Sequence, residues 1–227
     1  MTLHEEKQTT YSIGHLALGY LSGKATSKLI NTNINLPLLF LFSVIPDIDL
    51  LIPNLIEHRG PTHSFIIFAL LFLPLFKLYG TKALPYLISL TSHTIGDIYL
   101  TSPAIGTWAH ELTGGAQVFW PITTNWYSSG IIVTNLTLIY VEWTIFLASL
   151  TILLATKELW KLFKPHPSNL LLAIPIISIF ESTFLGFPIP VPPLLIAPHL
   201  IILSIFALSI LTDLKHIFKT TWPSTPN

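Results

Sequence analysis

Four separated stretches of the chain set histidines beside carboxylates. His15 stands in GHLALG, and Asp47 and Asp49 stand in IPDID. His58, Arg59 and His63 crowd around Gly60-Pro61 in HRGPTHS, and His93 and Asp97 stand in SHTIGD. Imidazole and carboxylate donors without thiolate suit a divalent metal, foremost Zn, with Mn or Fe as alternatives and Mg at a carboxylate-rich side. The chain contains no cysteine, so neither a thiolate site nor a disulfide framework is available. Seven candidate metal ligands (His15, Asp47, Asp49, His58, His63, His93 and Asp97) exceed the needs of one tetrahedral zinc. One or two ions are therefore expected, and a pair would clamp the attacking and leaving oxygens of a hydrolysed ester. Arg59, the only arginine, is the candidate catalytic group that binds phosphate or another anion, because its planar fork matches such oxygens.

Spacing says how these groups could meet. His93 and Asp97 are four apart and share one face of a helix. Asp47 and Asp49 are two apart and would diverge on a helix, but Pro46 and Pro53 predict that the helix breaks there. Gly60-Pro61 predicts a turn that folds His58 and His63 toward one point. Pro61 also suits the first position of a following helix, which would leave N–H groups beside Arg59 as an anion site.

The elements that position these residues are apolar. Charged residues make up only 10% of the chain, and the mean hydropathy is +0.66. Apolar runs cover Leu36 to Ile56, Ser64 to Tyr79, Ala83 to Leu100, Ser129 to Thr156, Asn169 to Phe187 and Pro193 to Thr212. Most approach the roughly 20 residues that cross a hydrocarbon core. They are too long and too continuously apolar for barrel strands. The expected fold is all-α, a polytopic transmembrane bundle of six to seven helices, some short or proline-broken. It divides into a polar N-terminal tail (1–10), a metal-site half with a long outer loop (11–128), C-terminal transmembrane helices (129–214) and a polar tail (215–227). The N-terminal residues lack the pattern of a cleaved signal peptide.

Tyr11 to Gly23 is short for a span and could be re-entrant. Counted as the first helix, it places Lys24, Lys28, Lys77, Lys82, Lys157, Lys161, Lys164, Lys215 and Lys219 on one side. These are nine of eleven basic residues, leaving Lys7 and Arg59 opposite. The positive-inside rule makes that side cytoplasmic, with the C-terminus, in what is expected to be the plasma membrane. The metal-ligand candidates and the polar loop from Ser102 to Ser128 then face outward.

Zero net charge without a basic stripe argues against nucleic acid as partner. HELTG at His110 has Gly114 where a zinc metalloprotease helix needs histidine, and no G-x-S-x-G or P-loop occurs. His199 is expected to be structural, and His166 and His216 to be solvated. Glu142 and Glu181, at membrane depth, would either hydrogen-bond a neighbouring helix or assist the site.

The order GHLALG, PDID, HRGPTHS, HTIGD, TSPAIG and Trp120-Pro121 resembles the YdjM-type family, inner-membrane metal-dependent hydrolases of which some are described as LexA-binding. The likeness covers roughly residues 11 to 122. HRGPTHS with PDID is its specific part; the single histidine and Trp-Pro are weak. Thr107 to Val118 looks like an insertion that could form a lid. The resemblance implies metal-dependent hydrolysis, with a looser likeness to zinc-dependent phospholipases C, and nothing in the sequence supports carrying over a LexA interaction. The expected function is hydrolysis of a phosphoester or lipid-linked ester at the outer membrane face through metal-activated water. A metal-ion transporter or metal sensor is the alternative, and it would need polar groups continuing toward the inner face.

Overall fold

A computed structural model describes residues 10–51, 57–100, 115–131, 133–187 and 190–221. Among these, every regular element is helical, and the only strand-like feature is one antiparallel bridge between Ala116 and Tyr127. The principal helices are α1 (Ser12–Leu29), α2 (Leu36–Val44), α3 (Phe65–Tyr79), α4 (Leu84–Leu100), α5 (Asn135–Ala155), the single-turn α6 (Leu159–Leu162), α7 (Ala173–Phe180) and α8 (Pro193–Thr221). Four helical stretches are long and apolar enough to cross a membrane: Phe65–Leu100, Asn135–Ala155, Pro167–Leu185 and Pro193–Ile217. The protein is a helical membrane protein.

Phe65–Leu100 folds back on itself. Gly80 takes φ 57° at the C-cap of α3, a conformation open to glycine but not to a helix interior. Phe68 and Phe72 of α3 then share an apolar cluster with Leu90 of α4. At the open end of the hairpin, the Thr94 hydroxyl donates to the His63 carbonyl at 3.2 Å.

α1 is the axis of the bundle. It is 18 residues long and continues past Gly23 to Leu29, further than the apolar pattern predicts. The physical reason is that Lys24 is not left bare: its Nζ reaches Glu158 Oε1 at 2.6 Å, and Tyr20 donates to Glu158 Oε2 at 2.8 Å. α1 packs against α2, α4 and α5. Gly19 makes this close approach possible, since a Cβ there would run into Ser43 of α2 and Ser89 of α4.

The described part of the run Leu36 to Ile56 is not one continuous α-helix. α2 has nine residues, and Ile45–Leu51 continues as a tighter 3-10 turn. Pro46 has no N–H to extend the α-helical ladder, so the turn begins where the sequence places it. The run Asn169 to Phe187 is likewise irregular, with a 3-10 turn Pro167–Leu172, then α7, then a π turn Glu181–Leu185. α8 outlasts its apolar run and reaches Thr221.

Candidate metal centre

Four elements deliver the polar residues to one end of the bundle. α1 supplies His15 and the Ile45–Leu51 turn supplies Asp47 and Asp49. The 57–64 turn supplies His58, Arg59 and His63, and α4 supplies His93 and Asp97. The lysines gather at the other end. Lys24 of α1 and Lys161 both approach Glu158 there, while Lys77 and Lys82 flank the α3–α4 reversal.

Three groups of donors lie close enough to hold an ion, with the ligand atoms of each within 4.8 Å of one another. They are His15, Asp47 and His93; Asp47, His58 and His63; and His63, His93 and Asp97. Asp47, His63 and His93 each belong to two groups, so the sites overlap rather than stand apart.

Backbone and hydroxyl partners decide which nitrogen each imidazole presents. His93 Nδ1 lies 2.8 Å from the Ser43 carbonyl, which can only accept, so Nδ1 carries the proton. His93 Nε2 is thereby turned to Asp47 Oδ1 at 3.2 Å and Asp97 Oδ2 at 3.5 Å. His63 Nδ1 is 3.0 Å from the Thr62 hydroxyl, which donates its own proton to Asp49 Oδ2 at 2.5 Å. His63 Nε2 faces Asp97 Oδ2 at 3.2 Å and Asp47 Oδ1 at 3.6 Å. His15 stacks on His93 with ring centroids 3.7 Å apart, its Nε2 3.6 Å from Asp97 Oδ1.

Asp49 plays a different part from the other carboxylates: it enters none of the three donor groups. Its Oδ1 accepts from His58 Nδ1 at 3.0 Å, and its Oδ2 accepts from Thr62 and from the Arg59 backbone N–H at 3.2 Å. A carboxylate that takes the far nitrogen of an imidazole fixes the ring and leaves the other nitrogen as a ligand. His58 Nε2 is left with that lone pair.

Arg59 has φ 61°. Its guanidinium Nη2 lies 3.0 Å from Asp97 Oδ1, so its charge is set against a buried carboxylate of the centre. The start of α3 is not an open anion site. Ser64 Oγ accepts from the N–H groups of Ile66 and Ile67, and Phe65 N–H donates to the Val118 carbonyl at 2.9 Å. The expectation that Pro61 begins this helix is also corrected: Pro61–His63 is a separate 3-10 turn, and Ser64 is the cap.

The electrostatics suit a cation. Burial alone would lower the His63 imidazole, but the carboxylates of Asp47, Asp97 and Asp49 overcome it and push it up to about 9. Burial opposes charge on Asp47, yet the His93 and His63 imidazoles hold its carboxyl well below the usual range. Burial likewise opposes charge on Asp49, and the His58 hydrogen bond and the nearby His63 ring hold it below the usual carboxylate range. His15 Nδ1 is buried without a hydrogen-bond partner. His63 Nε2 and Asp97 Oδ2 lie 3.2 Å apart as a buried ion pair. Together with His93 they form a donor group whose buried polar atoms a divalent metal would satisfy. The residues fit the group.

Outside the centre, His199 is buried and donates from Nδ1 to the Leu195 carbonyl at 2.7 Å, a structural role. His166 is exposed and bonds Ser168. Glu142 of α5 is buried and accepts the Tyr11 N–H at 3.0 Å, so it caps the start of α1 from a neighbouring helix. No spacing rule could have found that pairing. The segment TSPAIG, HELTG and residues 107–114 of the inserted stretch lie outside the described residues, as does Pro53.

Among curated proteins and among solved structures, nothing matches the chain significantly. The family model described as YdjM inner membrane protein matches residues 11–185, which takes in every donor named above and extends through α7. The chain belongs to the YdjM inner membrane protein family.

Proposed function

We propose that this protein is a membrane-embedded hydrolase acting on a phosphoester or lipid-linked ester at the outer face of the plasma membrane. The observation that carries the reading is the overlap of three donor groups on Asp47, His63 and His93, with orienting partners already in place. His15, Asp47, His58, His63, His93 and Asp97 would hold one or two divalent ions, most simply Zn. Asp49 would position His58 and Thr62 rather than bind. When bound, the metal supplies Lewis-acid chemistry, acidifying water and polarising the ester.

The chain's own groups define the approach. His58, with its side chain 36% exposed, and Asp47, at 16%, are the donors that reach the surface, while His63, His93 and Asp97 are sealed. A substrate would therefore enter over His58 and Asp47. Arg59 has five N–H donors, enough to hold Asp97 and one oxygen of an anionic substrate together. Hydrolysis would break the ester oxygen bond, with water giving its hydroxyl to the phosphoryl or acyl group and its proton to the leaving alcohol. The outward orientation rests on the lysines collected at the opposite end of the bundle.

The test is an assay of the purified, metal-loaded protein on aryl phosphomonoesters, phosphodiesters, carboxylic esters and phospholipids, with and without chelator. Chelator-sensitive turnover on at least one class is expected. A protein that holds metal stoichiometrically yet turns over none of them would overturn the hydrolase reading in favour of transport or sensing.

A further inference from the structure

Residues 115–131, GAQVFWPITTNWYSSGI, take in the end of the polar outer loop expected from Ser102 to Ser128 and the first residues of the apolar run after it. They form an ordered strap with no Asp, Glu, Lys or Arg and with four aromatic residues. Ala116 and Tyr127 exchange both backbone hydrogen bonds at 3.0 Å and close the strap into a loop. Gly115, at φ 86°, permits this, because a Cβ there would collide with the Tyr127 carbonyl.

The strap is fastened to the ends of the membrane helices. Gln117 N–H donates to the Arg59 carbonyl at 2.9 Å, and Ser64 Oγ donates to the Trp120 carbonyl at 2.6 Å. Ser129 N–H donates to the Ile98 carbonyl in the last turn of α4 at 3.0 Å. The chain then enters α5. The strap therefore lies level with the ends of three membrane helices, directly beside the HRGPTHS turn.

Its two faces differ. Ala116, Gln117 and Val118 are buried against the protein, whereas Phe119, Tyr127, Ile131 and above all Ile122, at 82%, are exposed. Phe119 and Tyr127 pack edge to face with centroids 5.0 Å apart, so the apolar side is a formed surface. In the helices that the strap joins, Ile95 and Tyr99 of α4 and Leu136 and Tyr140 of α5 are exposed as well. Exposed aromatic and aliphatic side chains without charge, at the ends of spans, are the pattern of a membrane–water boundary.

We propose that the strap is a membrane-interface anchor. Phe119, Ile122, Tyr127 and Ile131 seat in the headgroup and upper acyl layer of the bilayer, so that the mouth of the metal centre opens at lipid headgroup depth. The occupant is lipid because the strap is fastened to the ends of candidate membrane spans whose own exposed side chains are apolar. This holds whether or not the centre hydrolyses anything.

The absence of cysteine makes the test direct. Single-cysteine variants Ile122→Cys and Ile131→Cys on the strap are spin-labelled in phosphatidylcholine–phosphatidylglycerol vesicles. Leu147→Cys, exposed midway along α5, is the lipid reference, and Lys164→Cys, exposed between α6 and α7, is the water reference. Collision rates with oxygen, which concentrates in lipid, are compared with those for a neutral water-soluble nickel chelate. The oxygen-to-nickel ratio at 122 and 131 is expected to exceed that at 164 several-fold and to approach that at 147. A ratio equal to that at 164 would overturn the anchor. So would shielding from both reagents, which would mean that protein covers the strap.

Discussion

His93 Nδ1 donates to the Ser43 carbonyl at 2.8 Å, and that bond turns Nε2 toward Asp47 and Asp97. A main-chain oxygen at the end of α2 thus selects the tautomer of a histidine on α4. The same device recurs with Thr62 for His63 and with Asp49 for His58. Three imidazoles are thus oriented by partners within the protein, as those of a metal site would be.

Asp49 is expected to affect metal binding without being a ligand. Asp49→Ala releases His58, Thr62 and the Arg59 N–H together, and loss of such an orienting carboxylate weakens metal affinity by about 10- to 100-fold. Asp49→Asn keeps an acceptor oxygen and should fall between that variant and the wild type. Competition titration against a chromophoric chelator measures this. Affinity unchanged in Asp49→Ala would contradict the assigned role.

Arg59 compensates Asp97 at 3.0 Å inside the protein. Removing one partner of a buried pair costs about 3–5 kcal/mol, because the remaining charge is left uncompensated. Arg59→Ala should therefore lower the unfolding temperature most in chelated protein and less when a metal cation is present beside Asp97. Thermal melts with and without chelator make the comparison. Equal destabilisation in both states would show that the guanidinium does not act through the carboxylate.

Glu142 caps α1 by accepting the Tyr11 N–H, and Gly14 gives it room. Glu142→Gln retains an acceptor oxygen and should fold with near-native stability. Glu142→Ala leaves a buried N–H unsatisfied, at about 1–3 kcal/mol. Gly14→Ala drives a methyl group into the carboxylate and should cost about 1–3 kcal/mol as overpacking. The two alanine changes should be non-additive, since the methyl group at 14 collides only while the Glu142 carboxylate is present. Simple additivity in denaturant or thermal unfolding would sink the pairing.

Glu158 links α1 to the end of α5 through Lys24 and Tyr20. Burial opposes its charge, but the hydrogen bonds from Lys24 and Tyr20 prevail and hold the carboxyl below its ordinary value of 4.5. A carboxyl depressed in the folded state contributes stability above its unfolded pKa and loses it as pH falls through the folded value. Glu158→Gln should therefore be less stable than wild type at pH 7. The gap should close as pH is lowered from about 4.5. Melting curves across pH 3 to 7 test this, and a gap that widens toward acid would reverse the sign of the argument.

The legible parts of this chain were those set by short-range geometry. The spacing of His93 and Asp97 gave a shared helix face, and Pro46 marked the end of α2. Gly60-Pro61 marked the turn that brings His58 near His63. Asp49 could not be told from Asp47, because a carboxylate inside a donor group and one that hydrogen-bonds its neighbours are the same residue type. Only the tertiary position of Thr62 and His58 separates them. The reach of α1 to Leu29 was hidden for a related reason: a lysine in sequence looks like an exit from the membrane, and its partner Glu158 lies 134 residues away. The strap at 115–131 was hidden because its exposed apolar residues, Phe119, Ile122, Tyr127 and Ile131, are scattered among small polar ones and follow no helical or strand period.

Asp47, His63 and His93 are each shared by two overlapping donor groups. Elemental analysis of the purified wild type beside His58→Ala, Asp47→Ala and His63→Ala, each verified as folded, tests whether those groups hold metal. One or two divalent ions are expected in the wild type, with partial retention in His58→Ala, which breaks one group. Near-complete loss is expected in Asp47→Ala and His63→Ala, which each break two. Full wild-type metal content in both Asp47→Ala and His63→Ala would contradict metal binding by those groups.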